Sequence, residues 1–452
     1  MMNRTIYKNA RILTGTGEII ENGVLVVSHA QSDFVQLMNG EKPVKIVPSV
    51  SDRIEYIGTA DGFPIDADDE VVDVKGNTLM PGLVVADARL DTLNEKADDY
   101  VDNIGVPYRT IISYRSCAEA LNCGVTTIRA EGMPNNIDIA LKNAVSQTMF
   151  FAPDVLATGP VYGVTGGKGC RKYGMVQADG TDALRCEMRM RIARGIEGIT
   201  LQVSGERLET LGGEYHKEMS CSEINALVKH VKGAEKPVAV NASGDPSVKA
   251  SLDAGVNCIQ QGYRIGAENL KRMAEEGVAY IPCLVSTLGS DIEAEHKAVV
   301  SAAIRAGVKI ALGTEILPSQ PVDGTTAVIR ELELLVEAGM SPSEALAAAG
   351  VNAAEVCRAK AGVLKVGAKP DFIVVEGKPD EDIKAMRKIL CVVKNGRRAY
   401  NYIDGGKERL FHPHYPGYEV SGGTDFDWTE NLITGVRTPD NFNTQWNIVK
   451  DC

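Results

Sequence analysis

Histidine, basic charge and long apolar runs are what this chain has least of. Only six histidines (His29, His216, His230, His296, His412 and His414) occur in 452 residues, so a site built from several imidazoles has few sources to draw on. Cysteine is present ten times but never before Cys117 and never as a CxxC pair, a distribution that fits neither a zinc ribbon nor a disulfide framework. Those thiols read as reduced, which points to a cytoplasmic protein. Lys and Arg number 48 against 60 Asp and Glu, and the formal charge of −12 disfavours nucleic acid and anionic membrane surfaces as partners. No stretch approaches the roughly 18 apolar residues that cross a bilayer. The richest, ALAAAGVNAA at 345–354, is short and interrupted by glycine. The opening MMNRTIYKNARIL has no apolar core of a signal peptide.

What is present is ordinary globular composition, 44% hydrophobic and 24% charged, over a length that fits two or three domains of about 100–200 residues. Residues 4–79 carry short β-branched runs (RTIYKNARILT, GVLVVS, KIVPS, RIEYIG) separated by Gly, Asn and Asp turns, which predicts a small antiparallel sheet. From residue 80 the texture becomes α/β: eight apolar runs (GLVVADA, GVTTIRA, DVLATG, GITLQVSG, PVAVNASG, VNCIQQG, VAYIPCLV, VKIALGT) alternate with amphipathic stretches. That alternation predicts a (β/α)₈ TIM barrel. Helices are expected after Ser220 (CSEINALVKHVKGA) and after Ser341 (PSEALAAAGVNAAEVCRA), each with a capping serine and a glutamate close behind. Strands return after Gly362 (DFIVVEG, ILCVVKNGRRAY). The predicted organisation is therefore a barrel over 80–362 and a discontinuous composite β-sandwich from 1–79 and 363–404. An aromatic-rich C-terminal extension follows over 405–452, holding Phe411, Tyr415, Tyr418, Phe426, Phe442 and both tryptophans, Trp428 and Trp446. So aromatic a segment is expected to pack on the barrel or on a partner subunit.

In order along the chain stand MPGLVVADARL (80–90), NCGVTTIRAEG (122–132), TGPVYGVTGGKG (158–169), GITLQVSG (198–205), VAVNASG (238–244), GVNCIQQG (255–262), ALGTE (311–315) and AGMSPSEALAAAGVNAA (338–354). This series resembles the amidohydrolase superfamily, in the branch similar to imidazolonepropionase and the Xaa-Arg or Xaa-Lys dipeptidases, over about residues 4–404. The resemblance implies hydrolysis of C–N bonds by one or two divalent metals at the C-terminal ends of barrel strands, the metal activating water and polarising the carbonyl.

The residues that the resemblance would assign to the metal are different here. Family members carry His-x-His on the first strand, where this chain has Asp87 and Arg89. The bridging lysine of the fourth strand corresponds to Gln202, the histidines of the fifth and sixth to Asn241 and Gln261, and the aspartate of the eighth to Glu315. The histidine of the family's TGGHG loop is Lys168, and the Asp after TTxR is Ala130. No metal ligands and no cofactor are expected. Arg89 is expected to occupy the metal's space, forking toward Asp87 and Glu315, while the amides satisfy the remaining donors. Those three are the catalytic candidates; Gln202, Asn241, Gln261, Lys168, Tyr162 and Glu206 are the ligand-binding candidates.

Other readings compete. The oxygen donors would suit Ca²⁺ or Mg²⁺, but Arg89 would repel a dication. Cys170 after TGGKG is a free loop thiol with no histidine placed to activate it. His412-Pro-His414 lacks further ligands for zinc. GVTGGKG lacks the spacing and the Ser or Thr of a phosphate loop. The expected function is a non-hydrolytic superfamily member that binds a small polar molecule or serves as a scaffold, as a homo-oligomer or beside an active paralogue. The alternative is a hydrolase acting on a cyclic amide, carbamate or dipeptide-like substrate with a remodelled, metal-free site.

Overall fold

The computed structural model describes residues 4–29, 52–60, 63–91, 105–168, 175–205, 215–401, 403 and 408–409. Five strands open the chain: β1 (Arg4–Leu13), β2 (Ile19–Ser28), β3 (Arg53–Thr59), β4 (Glu70–Asp73) and β5 (Thr78–Pro81). The run KIVPS and the aromatic C-terminal segment lie outside the described residues.

A parallel set follows, comprising β6 (Leu83–Ala88), β7 (Val125–Ala130), β8 (Asp154–Ala157), β9 (Val161–Gly163), β10 (Met175–Gln177), β11 (Ile199–Gln202), β12 (Val238–Asn241), β13 (Cys258–Gln260) and β14 (Ala279–Ile281). Beyond a two-strand hairpin of β15 (Pro321–Val322) and β16 (Thr325–Thr326) come β17 (Phe372–Val375), β18 (Ile389–Lys394), β19 (Arg397–Asn401) and β20 (Glu408–Arg409).

The two ends of the chain build one nine-stranded sheet in the order β20-β19-β18-β17-β5-β1-β2-β3, with β4 also on β1. The joint is β5, parallel to β1 and antiparallel to β17. Alternate residues of these strands, among them Tyr7, Ile12, Leu25, Leu79, Phe372 and Val374, form one buried cluster. Tyr7 meets Phe372 edge to face at 4.9 Å, a favoured aromatic geometry. Arg11 grips Asp380 with two bonds of 2.6 and 2.8 Å across 369 residues of sequence.

In the α/β part, β6-β7-β8 form a three-stranded parallel sheet and β10-β9-β11-β12-β13-β14 a six-stranded one. Helices separate most of the parallel strands, because a parallel connection must return the chain to its starting end. They are α1 (Val106–Asn122), α2 (Ile137–Ser146), α3 (Gly180–Ala193), α4 (Cys221–Gly233), α5 (Asp245–Ala254), α6 (Ala267–Glu276) and α7 (Glu293–Arg305). The predicted capping box of α4 is present, Ser220 and Glu223 each bonding the other's backbone N–H. One face of the strands packs its large aliphatic residues on the helices. The other carries small ones, including Val84, Ala86, Ala239, Cys258, Ala279 and Ala311.

Residues 308–314 bond to both parallel sheets. Tyr280 N donates to Lys309 O and Ala311 N to Tyr280 O, while on the other edge Ala86 N donates to Leu312 O and Thr314 N to Asp87 O.

After α8 (Ala327–Glu337), the single helix expected beyond Ser341 is broken into α9 (Pro342–Ala347), a π turn over 348–352, and α10 (Ala353–Cys357). Gly350 inside the turn has φ −123° and ψ −107°. The break has a cause in the bonding: the Ala348 carbonyl accepts Leu312 N at 3.0 Å, and the Asn352 amide donates to Ile310 O at 2.9 Å. Both anchor 308–314. Among the described residues no helix is long and apolar enough to cross a membrane.

Candidate functional site

The C-terminal ends of the parallel strands carry the polar residues of the small-residue face. On β7 the alternation places Thr127 and Arg129 on that face, with Glu131 following, while Ile128 and Ala130 belong to the helix-side core. On β11, β12 and β13 the same positions are Gln202, Asn241 and Gln260. All are buried, as is Asp87 at the end of β6.

Gln260 is the hub. Its Nε2 donates to Asp87 Oδ2 at 2.6 Å and to Glu131 Oε2 at 2.5 Å. Asn241 Nδ2 reaches Gln202 Oε1 at 3.3 Å and Glu131 Oε1 at 3.4 Å, and Gln202 Nε2 donates to Ser204 O at 2.8 Å. The positive charge is Arg129, whose Nη2 lies 3.8 Å from Glu131 Oε2. Burial holds Asp87 well above the usual carboxylate range and the charge of Glu131 adds to that, with Arg129 opposing. Cys283 Sγ lies 3.6 Å from Asp87 Oδ2, and burial pushes this thiol up. Two buried carboxamide oxygens, Asn241 Oδ1 and Gln260 Oε1, have no hydrogen-bond partner.

A second chain of contacts runs along the rim. Lys168 Nζ donates to Gln261 Oε1 at 3.3 Å, and Gln261 Nε2 donates to Glu315 Oε1 at 2.5 Å. Tyr263 OH lies 3.5 Å from Glu315 Oε2. Gln261, Cys283 and Glu315 take left-handed backbone conformations, φ 61°, 56° and 58°, which L residues hold only when their surroundings enforce them. For Gln261 the enforcement is visible. Its carbonyl accepts from Tyr280 OH at 2.8 Å and from His296 Nε2 at 3.0 Å, so the proton of that imidazole sits on Nε2. Burial lowers His296 to about 4, keeping the ring neutral.

The structure brings together Asp87, Gln202 and Asn241 in the buried network, and Lys168, Gln261 and Glu315 along the rim. It does not place Arg89 between Asp87 and Glu315. Arg89 Nη2 is 3.9 Å from Asp91 Oδ1, and Asp91 Oδ2 accepts Arg109 Nη1 at 2.7 Å. Arg129, one strand over, supplies the guanidinium expected of Arg89. Tyr162 is likewise off the pocket face: strand alternation turns it into the helix-side core, with Arg191, Glu187 and Asp138 as its charged neighbours. Gly163 faces Gln202 instead. Glu206, Cys170, His412 and His414 lie outside the described residues. Sequence reasoning passed over Arg129, Glu131 and Gln260, although ionisable residues two apart in the apolar strand run VTTIRAEG were the available signal.

In this donor set the carboxylates are engaged by side-chain amides, and Asn241 Oδ1 and Gln260 Oε1 are left without partners. The Gln260 amide nitrogen is committed to both carboxylates, Gln202 Oε1 already accepts from Asn241, and a buried guanidinium stands beside Glu131. Among the described residues no three His, Cys, Asp or Glu side chains gather in a metal-binding group.

Comparison with known proteins places this architecture. Ochratoxinase from Aspergillus niger is 25% identical over 435 residues, covering 85% of this chain and 83% of that protein. Its crystal structure matches with a TM-score of 0.73 and 23% identity over 88% of this chain and 96% of that one. The crystal structure of a Xaa-Pro dipeptidase with methionine bound in its active site has a TM-score of 0.73 and 21% identity, covering 88% of this chain and 99% of that one. Residues 108–399 match the model of the amidohydrolase family, and the chain belongs to that family.

Proposed function

We propose that this protein is a non-hydrolytic amidohydrolase that binds a small polar molecule where the parallel strands end, with β6, β7, β8, β11, β12, β13, β14 and residues 308–314 forming the family's eight-stranded barrel. In this reading the sheet shared by both chain ends is the composite β-sandwich. The observation that carries the functional reading is the Gln260 amide bridging Asp87 and Glu131 beside Arg129. Charges that a hydrolase of this family would turn toward a cation are here neutralised by one another and by carboxamides. Such a network is costly to dismantle, because each buried polar group it releases must find a new partner. The usual ligand positions are, in this proposal, permanently substituted. The protein works in the cytoplasm without a resident metal, as a homo-oligomer or beside an active relative.

Elemental analysis of protein purified without chelator, together with a panel of N-acyl and cyclic amides, tests the proposal. No stoichiometric transition metal and no turnover are expected.

A second reading has one observation in its favour. Burial raises Asp87 well above the usual carboxylate range, while Glu315, one strand away, keeps Oε2 toward the rim. Two carboxyl groups in such different surroundings could act as acid and base on a cyclic amide, carbamate or dipeptide-like compound without metal. Likeness to ochratoxinase also supports it. Turnover abolished by both Asp87→Asn and Glu315→Gln would establish this reading over the first.

A further inference from the structure

We propose that the seam between the shared sheet and the helix after Ser341 holds a second binding site, which takes a small uncharged ring and steadies the turn that anchors residues 308–314. The end of β1, the turn into β2, the end of β5 and the α9–π-turn segment meet there around a cavity of about 140 Å³. Apolar cavities of about 150 Å³ bind benzene. Two glycines leave the space open. A Cβ on Gly15 would collide with Gly362 O, and one on Gly362 would lie 2.6 Å from Gly350 C. The three backbones therefore touch directly, with no side chain to fill the room beside them. Leu13, Ile19, Met80 and Leu346 line it with aliphatic groups. Ile19 is 46% exposed, so a ring seated beside it would take apolar surface out of water. The polar lining gives a charged ligand little to hold. Asp380 already accepts from Arg11 with both oxygens, and Ser343 Oγ donates to Asp380 O at 3.3 Å. Glu18, also on the lining, is an exposed acid. A carboxylate would meet these two acids, and any charge would exchange water for aliphatic walls. An uncharged ring meets neither penalty.

The π turn supplies Ala349, Gly350 and Val351 to the cavity wall. The residues on either side of those three hold 308–314: Ala348 O accepts Leu312 N at 3.0 Å, and Asn352 Nδ2 donates to Ile310 O at 2.9 Å. Thr314 N in turn donates to Asp87 O at 2.7 Å. A turn with empty space on one side lacks packing partners there. An occupant supplies them, and so restrains 348–352 together with the two bonds that 308–314 draws from it. The site reaches Asp87 by this short run of hydrogen bonds, although it lies on the far side of the π turn from the buried network.

The test is calorimetric titration of the full chain with benzene and with benzoate, joined to hydrogen exchange read by mass spectrometry. Benzene is expected to show a single saturable site, and benzoate to bind weaker by about tenfold or more, since its charge must be desolvated beside acids. Ala347→Leu, which enlarges a side chain on the cavity wall, and Ile19→Asp, which puts a charge there, should each weaken benzene by about tenfold or more. Urea midpoints establish that the variants are folded, and Ile19→Asp, at an exposed position, serves if Ala347→Leu does not fold. With benzene present, peptides covering 308–314 and 348–352 should exchange more slowly, while those of α6 should not change. No saturable binding of benzene, benzoate bound as tightly as benzene, or undiminished binding by a folded variant would each overturn the site. Unchanged exchange at 308–314 in benzene-saturated protein would overturn its connection to Asp87.

Discussion

Gln260 is the side chain on which the buried network turns, since one amide nitrogen serves two carboxylates. Replacing it with leucine keeps an apolar bulk but removes the donor that bridges Asp87 and Glu131. The expected loss is about 1–3 kcal/mol, read as a lower urea midpoint with an unchanged slope. A second residue-scale prediction concerns pH. Glu331 is fully buried, accepts the backbone N–H groups of Leu284 and Val285 at 3.0 and 2.7 Å, and is pushed by burial from 4.5 up to about 8. A carboxyl whose pKa is raised on folding stabilises fully below its unfolded value, and that stability is lost as pH rises through the folded one. Its contribution therefore declines between about pH 4.5 and 8. His296, lowered from 6.5 to about 4, acts oppositely and weakens the fold as pH falls through that range. Glu331→Gln should flatten the alkaline side of the stability profile, measured by urea unfolding at stepped pH. It should also cost about 1 kcal/mol at low pH, because a carboxamide cannot accept both N–H groups equally.

At this scale Asp87, Gln202, Asn241, Gln261 and Glu315 were legible because the family's motif order marks their positions. Arg129 was not, since a motif comparison asks what stands at known positions and not which neighbouring strand carries the compensating charge. Arg89 shows the converse error: its identity was plain, but its direction depended on Asp91 two residues on.

Among the elements, one tight constraint is the approach of 308–314 to β6. A Cβ on Gly313 would lie 2.5 Å from Ile281 Cγ2, 2.8 Å from Cys283 Sγ and 2.9 Å from Asp87 Cβ. Gly313→Ala should therefore displace Asp87 and cost about 1–3 kcal/mol. If thermal denaturation and ligand titration both match the unaltered protein, the approach is looser than described. The runs of alternating or continuous apolar residues foretold most strands, and the Ser–Glu pairs foretold the helix starts at Cys221 and Pro342. The π turn was illegible. ALAAAGVNAA is an excellent helix by propensity, and what breaks it is the demand of Leu312 and Ile310, some forty residues earlier in the chain, for partners. VKIALGT likewise forms only a single β-bridge, at Ile310, before passing to β6.

Across the whole molecule, the two parts are riveted by Lys394. Its ammonium is fully buried at the end of β18, 2.6 Å from Asp371 and 3.1 Å from Asp154, the first residue of β8. Lys394→Ala would leave the buried Asp371 without its cation and Asp154 with Lys369 alone, and should cost about 3 kcal/mol, whereas a surface pair such as Lys388 with Glu376 should cost under about 1 kcal/mol when broken. Equal effects of the two substitutions on the melting temperature would refute the distinction. That the sheet is shared between chain ends was legible from the return of strand texture after Gly362. Its register was not, because β5 offers only four residues to fix the joint between β1 and β17.

The shared sheet also sets an order of events during synthesis. While the ribosome is still building the middle of the chain, β5 has one edge bonded to β1 and the other bare, and its neighbour β17 does not emerge until some three hundred residues later. Nascent chains stalled before Phe372 should accordingly hold that edge open to chaperones and to one another. Protease resistance of the amino-terminal strands should arrive abruptly once β17 clears the exit tunnel, rather than accumulate as each strand appears.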